Sequence, residues 1–273
     1  MKKTFYLLFL LCAIGTTSAQ ELKKIDDCSM VFIYNYQMCD EHKNPESARN
    51  FEMMLEVGNH YSKFCNLVSW FDDSLNVATI NGPSPAMIYI DASNISSHTF
   101  CAYYIFKNYP ASGKTSFFDD LAFGGGPHRV EEKLNFNWKI DNNATAIILG
   151  MNCKKATCHF AGRDYEAWFA PEIPISDGPY KFSGLPGLIV KLQDSDKEHV
   201  FELQEIKKVN NKPMYLYIPD RTYVKTTAKG YTKALEASKI PLIEQFNSMT
   251  GDQEMIIRSI AKIKKRNNFI ERY

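Results

Sequence analysis

The sequence predicts a mainly β protein with C-terminal helices, its strands forming an antiparallel sheet that is sandwich-like or an incomplete barrel curling over a C-terminal helix. Three observations lead there. Leu134, Phe136, Trp138 and Ile140 alternate with charged or amide residues, the period of two that a half-buried strand requires. Further strand-like runs follow in close succession, separated by short turn signals and not by helical spacers, which argues against βαβ units. From Tyr231 onward the apolar period changes to that of a helix.

The elements follow in order. Ser29 to Met38 is rich in β-branched and aromatic residues and reads as the first strand. Asn44-Pro45 marks a loop. Asn50 to Val57 and His60 to Asn66 flank Gly58-Asn59, and a turn there makes them a hairpin. Between Asn81 and Pro127 the period fades among Gly and Pro breakers, so this stretch reads as a long irregular excursion with room for short strands. Strands are then expected over Val130 to Ile140, Ala144 to Cys153, Arg163 to Phe169 and Leu188 to Gln193. Another, Val200 to Lys207, follows the polar turn at Asp194-Ser195-Asp196. Tyr231, Leu235, Ile240, Leu242, Ile243 and Phe246 fit a helix interrupted near Pro241, and Met255 to Ile263 a second helical segment. The basic run Lys262 to Arg266 reads as a solvated helix end complementing the dipole.

The first residues read as a leader. Met1-Lys2-Lys3 is a charged start, Phe5 to Ile14 an apolar run, and Thr17-Ser18-Ala19 a small-residue cleavage site, so residues 1–19 are expected to be a signal peptide and 20–273 one domain. The apolar run falls short of the roughly 20 residues that span a bilayer. Leu11 precedes Cys12 where a lipoprotein signal needs a small residue. Without the leader the chain keeps 30 basic against 31 acidic residues and six cysteines. Near-neutrality argues against nucleic acid, which needs a basic stripe facing the phosphates. The even cysteine count suits an oxidising compartment, hence a periplasmic or secreted location with disulfide bonding.

One segment is more specific. Gly184-Leu185-Pro186-Gly187-Leu188-Ile189 stands behind a series of companions. These are Cys153 with Lys155-Ala156, Gly162-Arg163, Ala167-Trp168-Phe169, Glu172-Ile173-Pro174 and Gly178-Pro179, with Leu55 to Phe64 further upstream. With them the chain closely resembles the GLPGLI family of exported Bacteroidetes proteins. That resemblance implies an envelope or secreted protein without an established activity, and it supplies no catalytic residue.

Physics gives the motif a structural reading. Pro186 supplies φ near −65° and Gly187 the positive φ of a type II turn, while Leu185 and Leu188 face one core. Trp168, Phe169, Pro171, Pro174, Pro179 and Tyr180 would form a rigid apolar shelf leading into it. Gly187→Val is then expected to destabilise the fold. The alternative is a ligand groove on the same loop, with Arg163, Trp168, Tyr180, Gly184, Leu185, Pro186 and Gly187 as binding candidates.

Cys153 and Cys158 precede His159 in a C-x4-C-H array whose spacing suits a local disulfide better than haem, and no tetrahedral metal set completes it. A nucleophile elbow is absent, and Gly124-Gly125-Gly126 lacks the Lys-Ser or Lys-Thr of a phosphate loop. Glu166, Glu172, Asp177 and the Asp72-Asp73 pair are the available carboxylates, with Arg163 expected to pair with Glu166 or Glu172. The leading expectation is a non-catalytic binding or accessory protein of the envelope. It needs no cofactor or metal and takes an envelope protein, a peptide or an apolar ligand, with peripheral outer-membrane association as a further option. A peptide or glycan hydrolase using carboxylates near Glu172 and Asp177 is the second reading, and a Cys/His metal or redox protein the third.

Overall fold

The computed structural model describes residues 23–69, 101–121, 125–216 and 222–273. The leader at 1–19, the Asp72-Asp73 pair and residues 81–100 and 122–124 of the excursion lie outside the described residues.

Twelve strands make one sheet. In chain order they are β1 (Lys23–Cys39), β2 (Ala48–Gly58), β3 (Ser62–Asn66), β4 (Tyr104–Lys107), β5 (Thr115–Leu121), β6 (Gly126–Glu132), β7 (Lys139–Ile148), β8 (Met151–Phe160), β9 (Arg163–Ala170), β10 (Leu188–Asp194), β11 (His199–Leu216) and β12 (Val224–Thr226). Their spatial order is β12-β6-β5-β4-β3-β2-β1-β11-β10-β9-β8-β7, so the sheet is not closed into a barrel. Every ladder is antiparallel except the short β12–β6 pair, which makes the sheet mixed. The long strands β1 and β11 are paired through three register shifts, bulges of the kind that bend strands and raise their twist.

Alternation along β1 decides which face is buried where. Phe32, Tyr34 and Tyr36 enter the main core with Phe51, Met53 and Leu55 of β2. Val31 and Ile33 join a small second cluster with Cys28, Met54 and Met214 on the opposite face. The turns have chemical causes. Asp26 accepts hydrogen bonds from the His60 and Tyr61 amides at 2.7 and 2.9 Å, which fixes the β2–β3 hairpin. Leu149-Gly150 and Ala161-Gly162 each have positive φ at both positions, as two-residue hairpin loops demand.

Two strand expectations need correction. The alternation through Val130 to Ile140 is real, yet the chain leaves the sheet after Glu132 and rejoins it only at Lys139. Strands β6 and β7 lie near opposite ends of the sheet order, so 133–138 is a crossing segment. Period two reports which side chains are buried, and Phe136 is, stacking on Phe182 at 4.9 Å. Asn137 at φ 47 also breaks the extended run. The stretch from Ala144 to Cys153 is likewise two strands, divided by the Leu149-Gly150 turn. The excursion yields short strands β4 and β5, and β6 begins at its end.

Three helices follow: α1 (Ala228–Ala237), α2 (Lys239–Ser248) and α3 (Gln253–Lys265). Thr227 caps α1 by accepting from the Gly230 amide, and Asp252 caps α3 by accepting from Glu254 and Met255. Pro241 sits in the first turn of α2, where its missing N–H costs nothing, and the interruption itself falls at Ser238. Lys262, Lys264 and Lys265 occupy the last turn of α3, as the dipole favours. The tail then returns to the sheet. Asn268 Nδ2 donates to the Cys39 carbonyl at 2.8 Å and the Arg272 amide to the Ala161 carbonyl at 2.7 Å. No helix among the described residues is long and apolar enough to cross a membrane.

Candidate functional site

Between β9 and β10 the chain leaves the sheet for the loop that carries the motif, and distant elements hold that loop in place. Its backbone groups are satisfied from distant elements. Tyr34 of β1 donates to the Ile189 carbonyl at 2.8 Å, and Trp138 Nε1 to the Ser183 carbonyl at 2.8 Å. Lys107 at the end of β4 is buried and donates to the carbonyls of Gly178 and Phe182 at 2.6 and 2.9 Å. Its third partner is the Asp177 carboxylate at 2.5 Å, whose other oxygen accepts from Ser62 at 2.5 Å. Burial pulls Lys107 below the ordinary lysine range, opposed by Asp177.

The turn within the motif differs from expectation. Gly187 N–H donates to the Leu185 carbonyl at 2.8 Å, a three-residue γ-turn around Pro186 and not a type II turn. Glycine is required for another reason. Gly187 has φ 148, and a Cβ there would stand 2.4 Å from the Ala170 carbonyl oxygen. Gly187→Val therefore keeps its predicted effect with a new cause, a loss of about 3 kcal/mol or more, visible as a lowered urea midpoint. Leu185 and Leu188 are both buried in the main core, as expected.

The remaining expected site residues disperse. Arg163 is buried, but its partners are Asp194 and Glu198 at 2.6 and 3.1 Å and not Glu166 or Glu172, because its β9 position faces the β10–β11 turn. Trp168 is half-buried and donates to its neighbour Glu166 at 3.0 Å. Glu166 is in turn salt-bridged to Lys155 at 2.5 Å. The shelf is split, with Phe169 and Tyr180 buried while Pro171 and Pro174 are exposed. Glu172 is exposed and Asp177 is neutralised by Lys107, so the two share no cleft.

The cysteines also stay apart. All six described cysteines are buried separate thiols, and the Cys153–Cys158 bridge expected from spacing is not formed. Both lie on β8, where five residues of strand span roughly 16 Å against the ~7 Å limit for a bridge. Burial pushes the Cys158 thiol up to about 12 and raises Cys153 too, which makes both poor nucleophiles and ligands. His159 is exposed and sits 2.7 Å from Asp164. Among the described residues one other trio, His42, Asp196 and Glu198, comes within 4.8 Å. Glu198 is already held by Arg163, by Arg272 at 2.8 Å and by the Lys43 amide. Burial would raise its carboxyl, but these donors outweigh it and bring it down to about 2.

What the fold does assemble is a cavity of about 200 Å³ between the main-core face of the sheet, the helices and the C-terminal tail. Tyr36, Tyr103 and Phe117 line the sheet side, with Leu235, Leu242 and Ile263 on the helices. Of the expected binding residues only Tyr180 reaches it. Three of its polar groups are satisfied. Tyr36 Oη lies 2.7 Å from His199 Nδ1, Tyr180 donates to Glu271 at 2.7 Å, and Tyr231 donates to Asp119. Burial raises Asp119 to about 6, with Tyr231 opposing it. Burial and the nearby Arg163 charge keep His199 well below the usual histidine range, hence neutral. Tyr103 Oη and His199 Nε2 are closed to solvent and have no hydrogen-bond partner among the described residues. Sequence reading missed this site because its residues come from β1, the 101–121 stretch, the motif loop, β11, all three helices and the tail, with no local motif; the aromatic richness of the chain was its one trace.

Comparison with known proteins adds a family of unknown function. A family model described as a protein of unknown function (Porph_ging) matches residues 160–191, from the end of β8 into β10 and including the motif loop. No curated protein matches the chain. Two crystal structures of PNGF-II align with it. The P21 form does so at 16% identity over 78% of this chain with a TM-score of 0.49, and the C2 form at 15% over 77% with 0.47. In both, the chain spans 34% of the other protein's length.

Proposed function

We propose that this is an exported, non-catalytic binding protein of the bacterial envelope, a GLPGLI-type domain whose motif loop is scaffold and whose ligand occupies the cavity beneath the helices. One observation carries the reading: a cavity of about 200 Å³ walled by aromatic and aliphatic side chains between the sheet, the helices and the tail. Concave, largely apolar spaces with a few polar groups at their walls are where small molecules bind. The leader-like residues 1–19 and the family resemblance support export. The dispersal of the carboxylates and of the Cys/His set favours binding over the hydrolase and metal readings.

The test is a titration of residues 20–273 with ethylbenzene, followed by methyl NMR of Leu235 and Leu242. Saturable shifts at these methyls are expected, and Leu235→Trp, which fills the space, abolishes them while retaining the fold. An absence of saturable shifts up to the solubility of ethylbenzene refutes the reading.

A further inference from the structure

The outer face of the sheet carries a polar groove that is independent of the cavity under the helices. Ala156, Ala167, Leu192 and Phe201 stand opposite one another across β8, β9, β10 and β11, and all belong to the main core. Side chains alternate along a strand, so the rows on either side of this one point the other way, toward solvent. One row is Lys139, Thr157, Glu166 and Gln193, and the other is Lys155, Trp168, Lys191 and Glu202. Beyond the first row lie His159, Asp164 and Ser195, all exposed.

Over the first row the surface forms a groove of about 670 Å³, inside the ~300–1,000 Å³ of small-molecule sites. Thr157, Glu166 and Gln193 make its floor, with Lys139 of β7 toward one end and Lys197 of the β10–β11 turn toward the other. The charges are interleaved. Asp164 and Glu166 lie among Lys139, Lys155 and Lys197, so no field of a single sign selects a strongly charged ligand. Both carboxylates are already engaged, Asp164 by His159 at 2.7 Å and Glu166 by Lys155 at 2.5 Å and the Gln193 amide at 3.3 Å.

Trp168 supplies an apolar surface on this polar face. It is half-buried, stands two residues along β9 from Glu166, and is held there by its indole N–H, which donates to Glu166 at 3.0 Å. A sugar ring carries hydroxyls at its rim and C–H groups on its faces. Each hydroxyl both donates and accepts, and the floor answers both needs: Glu166 accepts, the lysines donate, and Thr157 and Gln193 do either. The C–H face suits the electron-rich face of an indole. A peptide is matched less well. Strands β8, β9 and β10 each have both ladder neighbours, so this face offers a strand no backbone partners, and the polar floor gives an apolar anchor nothing to fill.

We infer that this groove binds a neutral oligosaccharide, with sugar hydroxyls on Thr157, Glu166 and Gln193 and one ring face against Trp168.

The probes are cellohexaose, maltohexaose, mannohexaose and chitohexaose, titrated into nitrogen-15-labelled residues 20–273 and followed by NMR at the Trp168 indole N–H and the Thr157 and Gln193 amides. Saturable shifts at these positions with at least one probe are expected. Trp168→Ala is expected to weaken that binding about tenfold, and so is Thr157→Arg, which fills the floor from an exposed position. Because Trp168 also packs partly against the core, Thr157→Arg alone decides if the alanine variant fails to fold. Four results overturn the inference: no saturable shift with any probe at its solubility limit, shifts confined to other parts of the protein, an affinity unmoved by Thr157→Arg, or tighter binding of the polyanion hexagalacturonate than of every neutral probe. None of them bears on the cavity, which the ethylbenzene titration tests separately.

Discussion

Replacing Arg163 with alanine is expected to cost about 3–5 kcal/mol of stability and to lower the melting temperature of residues 20–273 by about 10 °C. The arginine is 4% exposed and uses its whole fork. Nη1 serves Asp194 and Glu198, Nη2 donates to Asn268 Oδ1 at 2.5 Å and to the Phe269 carbonyl at 2.7 Å, and Nε reaches the same carbonyl at 3.2 Å. Removing it leaves Asp194 buried without its counter-ion. Asp194 keeps only its bonds from the Glu198 and His199 amides, both at 2.8 Å. The loss also frees the tail that seals one side of the cavity, so residues 266–273 should become the first site of limited proteolysis. Arg163→Lys restores one point charge but not the fork and is expected to fall between the two. A melting temperature for Arg163→Ala within about 2 °C of the unmodified protein would mean that the network contributes little.

Lys107→Met is the second large effect, again about 3–5 kcal/mol at neutral pH, read from urea denaturation. The substitution keeps the length of the side chain and removes three hydrogen bonds at once. Asp177 loses its cation, and the Gly178 and Phe182 carbonyls lose their donor inside the motif loop. The sign of the pH dependence follows from linkage. An unpaired buried carboxyl has its folded pKa raised above its unfolded value, so the folded variant binds the extra proton and its deficit shrinks as pH falls. Lys107→Met combined with Asp177→Asn removes the stranded charge and should recover part of the loss. If the double variant is no more stable than the single, the carboxylate is not the source of the penalty.

Much of the sheet was legible in the sequence for local reasons. Strands β9 and β10 begin at Arg163 and Leu188, as their patterns and the bounding turn residues indicate. The hairpin at Gly58 and the three-part helical region were also readable, since turn glycines, caps and apolar period are encoded within a few residues. The crossing segment 133–138 was misread because alternation encodes burial, while membership of a sheet depends on a neighbouring strand. The Leu149-Gly150 turn was missed because leucine seldom takes positive φ, so nothing flagged the dipeptide.

The functional residues were harder for the same reason. The motif was visible as a motif, but its role rests on Tyr34, Lys107 and Trp138, which reach it from 45 to 155 residues away in sequence. Arg163 was singled out, and its partners were misassigned because the β10–β11 turn approaches it only in the folded sheet. Of the cavity, Tyr180 alone was anticipated. The others are ordinary aromatic and aliphatic residues until the chain brings the tail and helices over the sheet.

The most direct measurement is a crystal structure of residues 20–273 under xenon pressure, since xenon enters apolar cavities without needing a designed ligand. An anomalous peak bounded by Tyr103, Phe117, Leu235 and Leu242 is the expected result. Crystals in which α1 and α2 close over that space, with no xenon between them and the sheet, would contradict a ligand site there.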